Sequence, residues 1–176
     1  MELIVRIKKK LRNFTLDADF AVKDEVFALL GASGCGKSIT LKCIAGIETP
    51  DSGCIVWNGR VLFDSEKKIN LAPQKRRVGY LFQNYALFPN MTVRENIRFA
   101  ASGTDAEKQQ KVQANLERFS LLDLADAYPA ELSGGQQQRA AFARILASDA
   151  ELLLLDEPFS ALDSYLKWQL ELELGK

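Results

Sequence analysis

The sequence has 176 residues, of which 47% are hydrophobic and 26% are charged, proportions that indicate a globular domain and exclude a disordered or fibrous chain. Lys and Arg number 23, and Asp and Glu also number 23, so the formal net charge is zero. A neutral chain has no global basic surface, and we predict no nucleic-acid partner. The sequence contains no histidine, which excludes histidine-based catalytic triads and imidazole zinc ligands within these residues.

Cysteine usage and hydropathy indicate the compartment. The three cysteines, Cys35, Cys43 and Cys54, are odd in number and include no C-x-x-C pair, so neither a disulfide framework nor a zinc knuckle is predicted. No apolar run approaches the roughly 18 residues that a membrane-spanning helix needs. We therefore expect a chain that lies in the reducing cytoplasm and stays out of the bilayer.

The first half of the chain predicts strands around one helix. Alternating residues 2–8 and the stretch 14–20 predict an opening hairpin. Residues 26–30 are continuously apolar, which predicts a strand buried on both faces of a sheet. A helix is expected from Ser38 to Ala45, ended by Gly46, and Asn58-Gly59 predicts a second hairpin.

The second half alternates buried strands with helices. Residues 78–82 predict a buried strand, and residues 74–77 before it read as a solvated charged turn. The pattern from Thr92 to about Leu124 predicts helix, with a capping box at Thr92 and Glu95. A further helix, 136–146, precedes a buried strand at 152–155. This order predicts an α/β fold with a largely parallel sheet.

A glycine-rich segment between the strand at 26–30 and the following helix carries the first chemical signal. Glycines allow successive backbone N–H groups to point at phosphate oxygens, and the helix N-terminus adds partial positive charge. A lysine then supplies a full charge to the β- and γ-phosphates, and a serine hydroxyl is a hard ligand for Mg²⁺. The pattern G-x-x-x-x-G-K-S is met by Gly31, Ala32, Ser33, Gly34, Cys35, Gly36, Lys37 and Ser38, which predicts an ATP-phosphate site.

Two adjacent acids end the apolar strand at 152–155. A buried strand has no propensity reason to end in two carboxylates, so Asp156 and Glu157 are candidate functional residues. At a strand tip Asp156 is suited to hold Mg²⁺, and Glu157 is suited to act as the general base for water. The alternative, a solvated acidic turn before Pro158, loses weight beside the glycine loop.

A third motif, added to the glycine-rich segment and the pair of acids, makes the chain resemble a known family. Leu132-Ser133-Gly134-Gly135-Gln136 is similar to the signature loop of ATP-binding-cassette (ABC) ATPases. Gln83 and the segment Ser160, Ala161, Leu162 and Asp163 then complete an ordered set of five elements across the whole chain. The resemblance implies a P-loop NTPase core of mostly parallel sheet with helices on both faces, plus an N-terminal antiparallel β part and a helical subdomain.

The resemblance also implies roles, partners and a location. Gln83 would contact Mg²⁺ and the attacking water, beside Ser38 and Asp156 as metal ligands and Glu157 as the catalytic base. Two subunits would face each other head to tail as a homodimer, so that Ser133, Gly134, Gly135 and Gln136 contact the ATP of the opposite subunit and residues 160–163, the D-loop, touch that subunit. Residues 83–97 resemble the importer branch, whose ATPases lie on the cytoplasmic face of the membrane, bound to transmembrane permease subunits.

The expected domain division follows the family pattern. Residues 1–83 and 137–176 would form the nucleotide-binding core, and residues 84–136 the helical subdomain that carries the signature loop. Residues 10–16 and 58–65 most resemble ATPases of molybdate and sulfate importers. Importers of carbohydrate, iron or polyamines stay open as alternatives, as do a soluble non-transport ABC ATPase and a nucleotide-binding module without catalysis.

Two departures from the family affect these expectations. The first hairpin turn lacks the usual adenine-stacking aromatic residue, which leaves Arg12 or Phe14 as candidates. The family also carries a γ-phosphate histidine beyond the D-loop, and this sequence has none. The resemblance therefore predicts a C-terminally truncated chain that binds Mg-ATP but turns it over poorly.

Overall fold

A computed structural model describes residues 1–24 and 26–157. The chain divides into two compact units, Met1–Val78 and a second unit that begins at Gly79. In the described part of the chain, no helix has the length and apolarity required to cross a membrane.

The first unit is built on a five-stranded antiparallel sheet in the order β2-β1-β3-β4-β5. The predicted opening hairpin is confirmed, because β1 and β2 pair along their whole length from Glu2 with Lys23 to Lys10 with Thr15. Alternation in β1 buries every second side chain against the core. The strands are β1 (Glu2–Lys10), β2 (Thr15–Lys23), β3 (Ser52–Trp57), β4 (Arg60–Asp64) and β5 (Ile69–Asn70).

The turn between β3 and β4 is made by the predicted Asn58-Gly59 pair. Both residues adopt left-handed conformations, with φ of 48° and 76°. Two central residues with positive φ are what a type I′ hairpin turn requires, and Asn and Gly tolerate this region best. The local sequence signal therefore suffices to fix this hairpin.

The single α-helix described in the first unit, α1 (Lys37–Ala45), follows the glycine-rich segment. Gly36 at φ 102° leads into it and Gly46 at φ 80° ends it. The Gly46 N–H donates to the carbonyl of Cys43, which satisfies part of the helix C-terminus. The predicted bounds of this helix are confirmed to within one residue.

The predicted buried strand at 26–30 is wrong for this structure. These residues have no strand assignment, and Val26 and Leu30 are 78% and 90% exposed. A strand buried on both faces needs hydrogen-bonded neighbours and packed layers above and below it. The sheets of the described residues do not include this segment, so its apolar run remains at the surface.

A two-stranded sheet is formed by β6 (Val78–Leu81), which belongs to the second unit from Gly79 onward, and β7 (Leu152–Leu155). The N–H of Asp156 donates to the carbonyl of Leu81 at 3.1 Å, so the carboxyl ends of both strands lie at the same edge. A Cβ on Gly79 would come within 2.7 Å of Ile145 and 2.9 Å of Leu153. Glycine therefore permits close packing against β6.

Within its residues up to 157, the second unit has three α-helices: α2 (Val93–Ala100), α3 (Asp105–Arg118) and α4 (Gly134–Ala147). The helix predicted from Thr92 to about Leu124 is divided in the structure. Ala101 ends α2 in an extended conformation, and Thr104 is the N-cap of α3. The predicted capping box of Thr92 with Glu95 is confirmed, and Thr104 forms a second one with Glu107. Short 3₁₀ turns span Leu122–Leu124 and Pro129–Glu131, and another, in the first unit, spans Pro73–Lys75. The core residues of the second unit with least exposure are Ile97, Leu116, Leu121, Ala140, Ala141 and Ala143.

Candidate functional site

The glycine-rich loop of the first unit is an exposed turn that runs directly into α1. Gly34 and Gly36 adopt positive φ of 81° and 102°, a region that side chains disfavour. The Nζ of Lys37 donates to the carbonyls of Gly31 and Ala32, at 2.7 and 3.0 Å. The ammonium group therefore lies within the loop, where backbone N–H groups and the N-terminus of α1 favour an anion.

The aromatic ring of Phe14 lies beside this loop. A Cβ on Gly36 would lie 2.8 Å from Leu16 and 3.5 Å from the ring of Phe14. The close approach explains why glycine is required at position 36. Phe14 is 38% exposed, so part of its ring is free to contact a ligand.

In the second unit Gln83 and Glu157 are brought together although 74 residues separate them. The Nε2 of Gln83 donates to Oε2 of Glu157 at 2.9 Å, and both side chains are exposed. Glu157 adopts φ 51°, a strained conformation for a residue other than glycine, and such strain concentrates at functional sites. An exposed carboxylate oriented by an amide can accept a proton from water.

The neighbouring Asp156 is buried at the tip of β7. Its Oδ2 accepts a hydrogen bond of 2.9 Å from the hydroxyl of Tyr80 in β6. Burial, and then the hydrogen bond to Asp156, raise the pKa of Tyr80 well above its ordinary value. The phenol therefore remains a donor, and it fixes the orientation of the carboxylate. Tyr80 was not identified from the sequence as a residue that orients Asp156.

The predicted metal ligands Ser38, Gln83 and Asp156 offer a hydroxyl, an amide oxygen and a carboxylate. These are hard oxygen donors of the kind that Mg²⁺ prefers. Among residues 1–24 and 26–157, no group of three or more Cys, Asp and Glu side chains is clustered to hold a metal ion alone. A magnesium ion that takes most of its ligands from phosphates and water needs no such cluster. Gln83 and Asp156 of the second unit, and Ser38 of the first, each offer the kind of oxygen donor that this ion accepts.

The predicted signature residues form the N-terminus of α4. Ser133 is the N-cap, and its hydroxyl accepts from the N–H of Gln136 at 3.3 Å while Gln136 Oε1 accepts from the N–H of Ser133 at 2.7 Å. A Cβ on Gly134 or Gly135 would meet nothing within 4 Å. This end of α4 is therefore open, and it presents N–H groups to an approaching anion. The D-loop prediction, residues 160–163, lies outside the described residues.

Two buried arginines were missed by sequence reasoning. The charged turn predicted at 74–77 is wrong for Arg76, which is fully buried in the first unit. Arg144 of α4 is 9% exposed in the second unit. Charged side chains are rarely buried unless hydrogen-bonded, and a sequence pattern gives no signal of such partners.

An open groove of about 530 Å³ lies on α2 and α3. Its polar lining includes Arg94 and Arg98, which form ion pairs with Asp126 and Asp105. Near these residues in sequence, Phe99 is 65% exposed and packs edge-on against Phe88 with 4.8 Å between ring centroids. The full lining of the groove is Arg94, Arg98, Gln109, Gln110, Val112 and Gln113.

Comparison with known sequences finds one matching family and relatives that are named as import ATP-binding proteins. The profile of the family described as "ABC transporter" matches residues 15–160. The chain is 43% identical over 162 residues to the "Fe(3+) ions import ATP-binding protein FbpC" of Haemophilus influenzae, covering 90% of this chain and 46% of that protein. It is 41% identical over 158 residues to the "Molybdenum import ATP-binding protein ModC" of Paramagnetospirillum magneticum, covering 89% of this chain and 44% of that one.

Other relatives of similar identity are named for import of spermidine/putrescine and of xylose/arabinose. The expected molybdate or sulfate specificity is therefore not singled out by these names. The chain spans a little under half the length of the curated relatives compared above.

Comparison with solved structures confirms the α/β fold class. A dimeric structure of a post-hydrolysis state of the ATP-binding cassette MJ0796, bound to ADP and Pi, matches with a TM-score of 0.82 and 27% identity. The match covers 99% of this chain and 81% of that chain. The predicted N-terminal antiparallel sheet and the helical part are both present in the described residues.

Proposed function

Since this chain belongs to the ABC transporter family, we propose that it is the ATP-binding and ATP-hydrolysing subunit of an ABC importer. The observation that carries the proposal is the hydrogen bond between Gln83 and Glu157 at the carboxyl edge of β6 and β7. An acid paired with an amide beside the buried Asp156 is the arrangement that orienting and deprotonating water requires.

ATP binding is assigned to the loop from Gly31 to Ser38. The triphosphate would displace the carbonyls of Gly31 and Ala32 from the ammonium of Lys37, because a phosphate carries far more negative charge than a carbonyl oxygen. The ring of Phe14 lies beside this loop and is our candidate for the adenine contact.

Hydrolysis is assigned to Glu157 as the general base and to Gln83 as the residue that orients the water. Mg²⁺, when bound, would neutralise charge on the β- and γ-phosphates, with Ser38, Gln83 and Asp156 as its protein ligands. Tyr80 keeps the carboxylate of Asp156 in one orientation through its hydroxyl.

A second copy of the chain, arranged head to tail as a homodimer, is the proposed partner for the open N-terminus of α4. Ser133, Gly134, Gly135 and Gln136 would contact the γ-phosphate held by that copy, and residues 160–163 would touch it as the D-loop. The exposure of Gly134 and the absence of any neighbour around its missing side chain support this role.

The transmembrane permease is the proposed partner of residues 84–136, the helical subdomain, with residues 1–83 and 137–176 as the nucleotide-binding core. The groove on α2 and α3 and the exposed ring of Phe99 support a protein contact there. Through this contact the chain would lie on the cytoplasmic face of the membrane.

We propose a molybdate- or sulfate-type oxyanion as the cargo, on the strength of residues 10–16 and 58–65. Iron, polyamine and carbohydrate import are the alternatives that the relatives' names offer. Deletion of the gene should abolish uptake of labelled molybdate or sulfate and leave uptake of Fe³⁺, spermidine and xylose unchanged. Loss of one of the other three uptakes instead would reassign the cargo.

Nucleotide binding is tested by titration of a fluorescent ATP analogue. Lys37→Ala should weaken binding by about a hundredfold, since a full charge on the phosphates is removed. Lys42→Ala, in the last turn of the same helix, is the matched control and should bind normally. Equal affinities in the two variants would overturn the phosphate-loop assignment.

The base assignment is tested by Glu157→Gln. This variant should bind the analogue normally and lose phosphate release by about a hundredfold or more. Glu151→Gln, an exposed acid just before β7, should release phosphate at the parent rate. Normal turnover by Glu157→Gln would show that another group activates water.

A further inference from the structure

The guanidinium of Arg144 makes three contacts with one loop. It donates from one terminal nitrogen to the carbonyl of Ala86 at 2.8 Å and from the other to the carbonyl of Tyr85 at 3.1 Å. Its carbon lies 5.4 Å from the centroid of the Phe88 ring, a cation–π distance. The loop, residues 84–88, follows Gln83 directly.

This loop is held in a conformation that its own residues disfavour. Tyr85 and Ala86 have φ of 60° and 46°, in the left-handed region, and neither is glycine. This conformation is strained for residues other than glycine, and it persists only where the surroundings enforce it. At the far end of the loop, the N–H of Phe88 donates to Oδ1 of Asn96 in α2. The strained pair lies between that anchor and Gln83, where Arg144 contacts it.

The burial of Arg144 indicates that the planar arrangement of its N–H donors, and not its charge, explains why arginine is present at this position. Burial lowers the pKa of this guanidinium, since the charged form loses its hydration. An apolar side chain of similar volume would fill the same space in α4 without that cost. Only a planar fork of N–H donors can bind two successive carbonyls and lie against a ring at the same time.

We propose that Arg144 is a positioning residue for Gln83: it fixes the strained loop so that the Gln83 amide meets Glu157. Only Asn84 separates Gln83 from Tyr85, whose carbonyl is bound by Arg144. Release of Tyr85 and Ala86 would let both return to φ below zero and would move Gln83 away from Glu157. This inference rests on the proposed function, in which Gln83 orients the water that Glu157 deprotonates.

The placement of Arg144 also connects two parts of the proposed machinery. Its helix, α4, begins at the signature turn, and Arg144 follows Gly134 by ten residues, about 15 Å along the helix axis.

The test compares Arg144 with Arg139, a matched control on the same helix. Arg139 also donates to two successive carbonyls, those of Phe119 and Ser120, at 3.0 and 3.3 Å. We would make Arg144→Met, Arg144→Lys, Arg139→Met and Arg139→Lys in the full chain and measure amide hydrogen exchange of residues 83–88. Arg144→Met should accelerate exchange there by about tenfold, whereas both Arg139 variants should leave it unchanged.

Steady-state kinetics supply the functional comparison. Arg144→Met should lower kcat by about tenfold to a hundredfold with KM for ATP within about twofold, because Gln83 is displaced and the phosphate loop is untouched. Arg144→Lys keeps the charge without the fork and should recover part of kcat and of the exchange protection, even if Arg144→Met folds poorly. The Arg139 variants should keep the parent kcat.

The outcomes separate this inference from the proposed function. If amide exchange at residues 83–88 is equal in the Arg144 and Arg139 variants, Arg144 does not hold the loop and the inference is wrong. It is also wrong if Arg144→Met accelerates this exchange but leaves kcat unchanged. A parent chain that neither binds the fluorescent ATP analogue nor hydrolyses ATP would refute the proposed function by itself. In that case the exchange comparison still decides whether Arg144 holds the loop.

Discussion

The guanidinium of Arg76 occupies the space that a side chain at Gly46 would need. A Cβ built on Gly46 would lie 2.5 Å from Nε and 2.8 Å from Cζ of Arg76. The guanidinium donates to the carbonyls of Cys43 and Ile44, at the C-terminus of α1, and to the carbonyl of Leu71. The helix that follows the glycine-rich loop is therefore capped at its other end by a buried cation, a charge that the negative end of the helix dipole favours.

Arg76→Met should destabilise the first unit by about 3 kcal/mol or more. The substitution leaves several buried carbonyls without their donor, and each unsatisfied group costs roughly 1 to 3 kcal/mol. Urea unfolding measures the change, with the exposed neighbour Arg77→Met as the control, expected within about 0.5 kcal/mol of the parent. An Arg76→Met protein as stable as the control would mean that water replaces the guanidinium at no cost.

Gly46→Ala should cost about 2 kcal/mol or more in the parent. A left-handed φ of 80° penalises alanine by about 1 to 2 kcal/mol, and the contact with Arg76 adds to this. In an Arg76→Met background the contact is relieved, and the cost should fall to the backbone penalty alone. A double-mutant cycle on urea midpoints measures the difference. Strict additivity of the two substitutions would contradict the packing argument.

Local signals in the sequence predicted the local structure well. The Asn58-Gly59 turn and the capping box at Thr92 depend on residues within three positions of one another, so the pattern contains the whole interaction. The bounds of α1, which lies between Gly36 and Gly46, were predictable for the same reason. They are set by glycines at fixed positions.

Long-range structure was predictable only in part. The hydrogen bond between Gln83 and Glu157 joins residues 74 positions apart, and only the family resemblance suggested that they act together. The burial of Arg76 depends on carbonyls of α1 more than 30 residues away, which charge patterning cannot reveal. The exposed segment 26–30 shows the converse. Hydropathy predicts what a segment would bury, but burial also needs partner strands.

Cys43 should be the least reactive of the described thiols and should give the chain an alkaline pH dependence. Burial raises the pKa of this thiol from 9.0 to about 11. Because the thiol has a higher pKa in the folded state than in the unfolded chain, it stabilises the fold at pH values below the unfolded pKa of 9.0. This stabilisation is lost as the pH rises from 9.0 to about 11. Urea midpoints measured between pH 8 and pH 11 should therefore decrease in the parent.

Cys43→Ala is the control for that slope, since it removes the titrating group. The variant should lose most of the decline between pH 9.0 and pH 10.0, above which Tyr80 also contributes because its pKa is raised from 10.0, whereas Cys35→Ala, at an exposed position, should keep it. Alkylation with iodoacetamide at pH 8 should modify Cys35 first and leave Cys43 intact in the folded chain. Prompt modification of Cys43 under native conditions would contradict its buried, protonated state.

Tyr80→Phe should destabilise the second unit by about 1.5 to 3 kcal/mol, the range for a buried hydrogen bond to a charged group. The substitution keeps the ring that packs against Phe82 but removes the donor to Oδ2 of Asp156. Tyr128→Phe is the control, because that ring is 47% exposed. If the proposed metal role of Asp156 is right, Tyr80→Phe should also raise the Mg²⁺ concentration needed for half-maximal phosphate release. An unchanged urea midpoint would show that the hydroxyl does not hold Asp156, and an unchanged Mg²⁺ requirement with a lower midpoint would make Tyr80 purely structural.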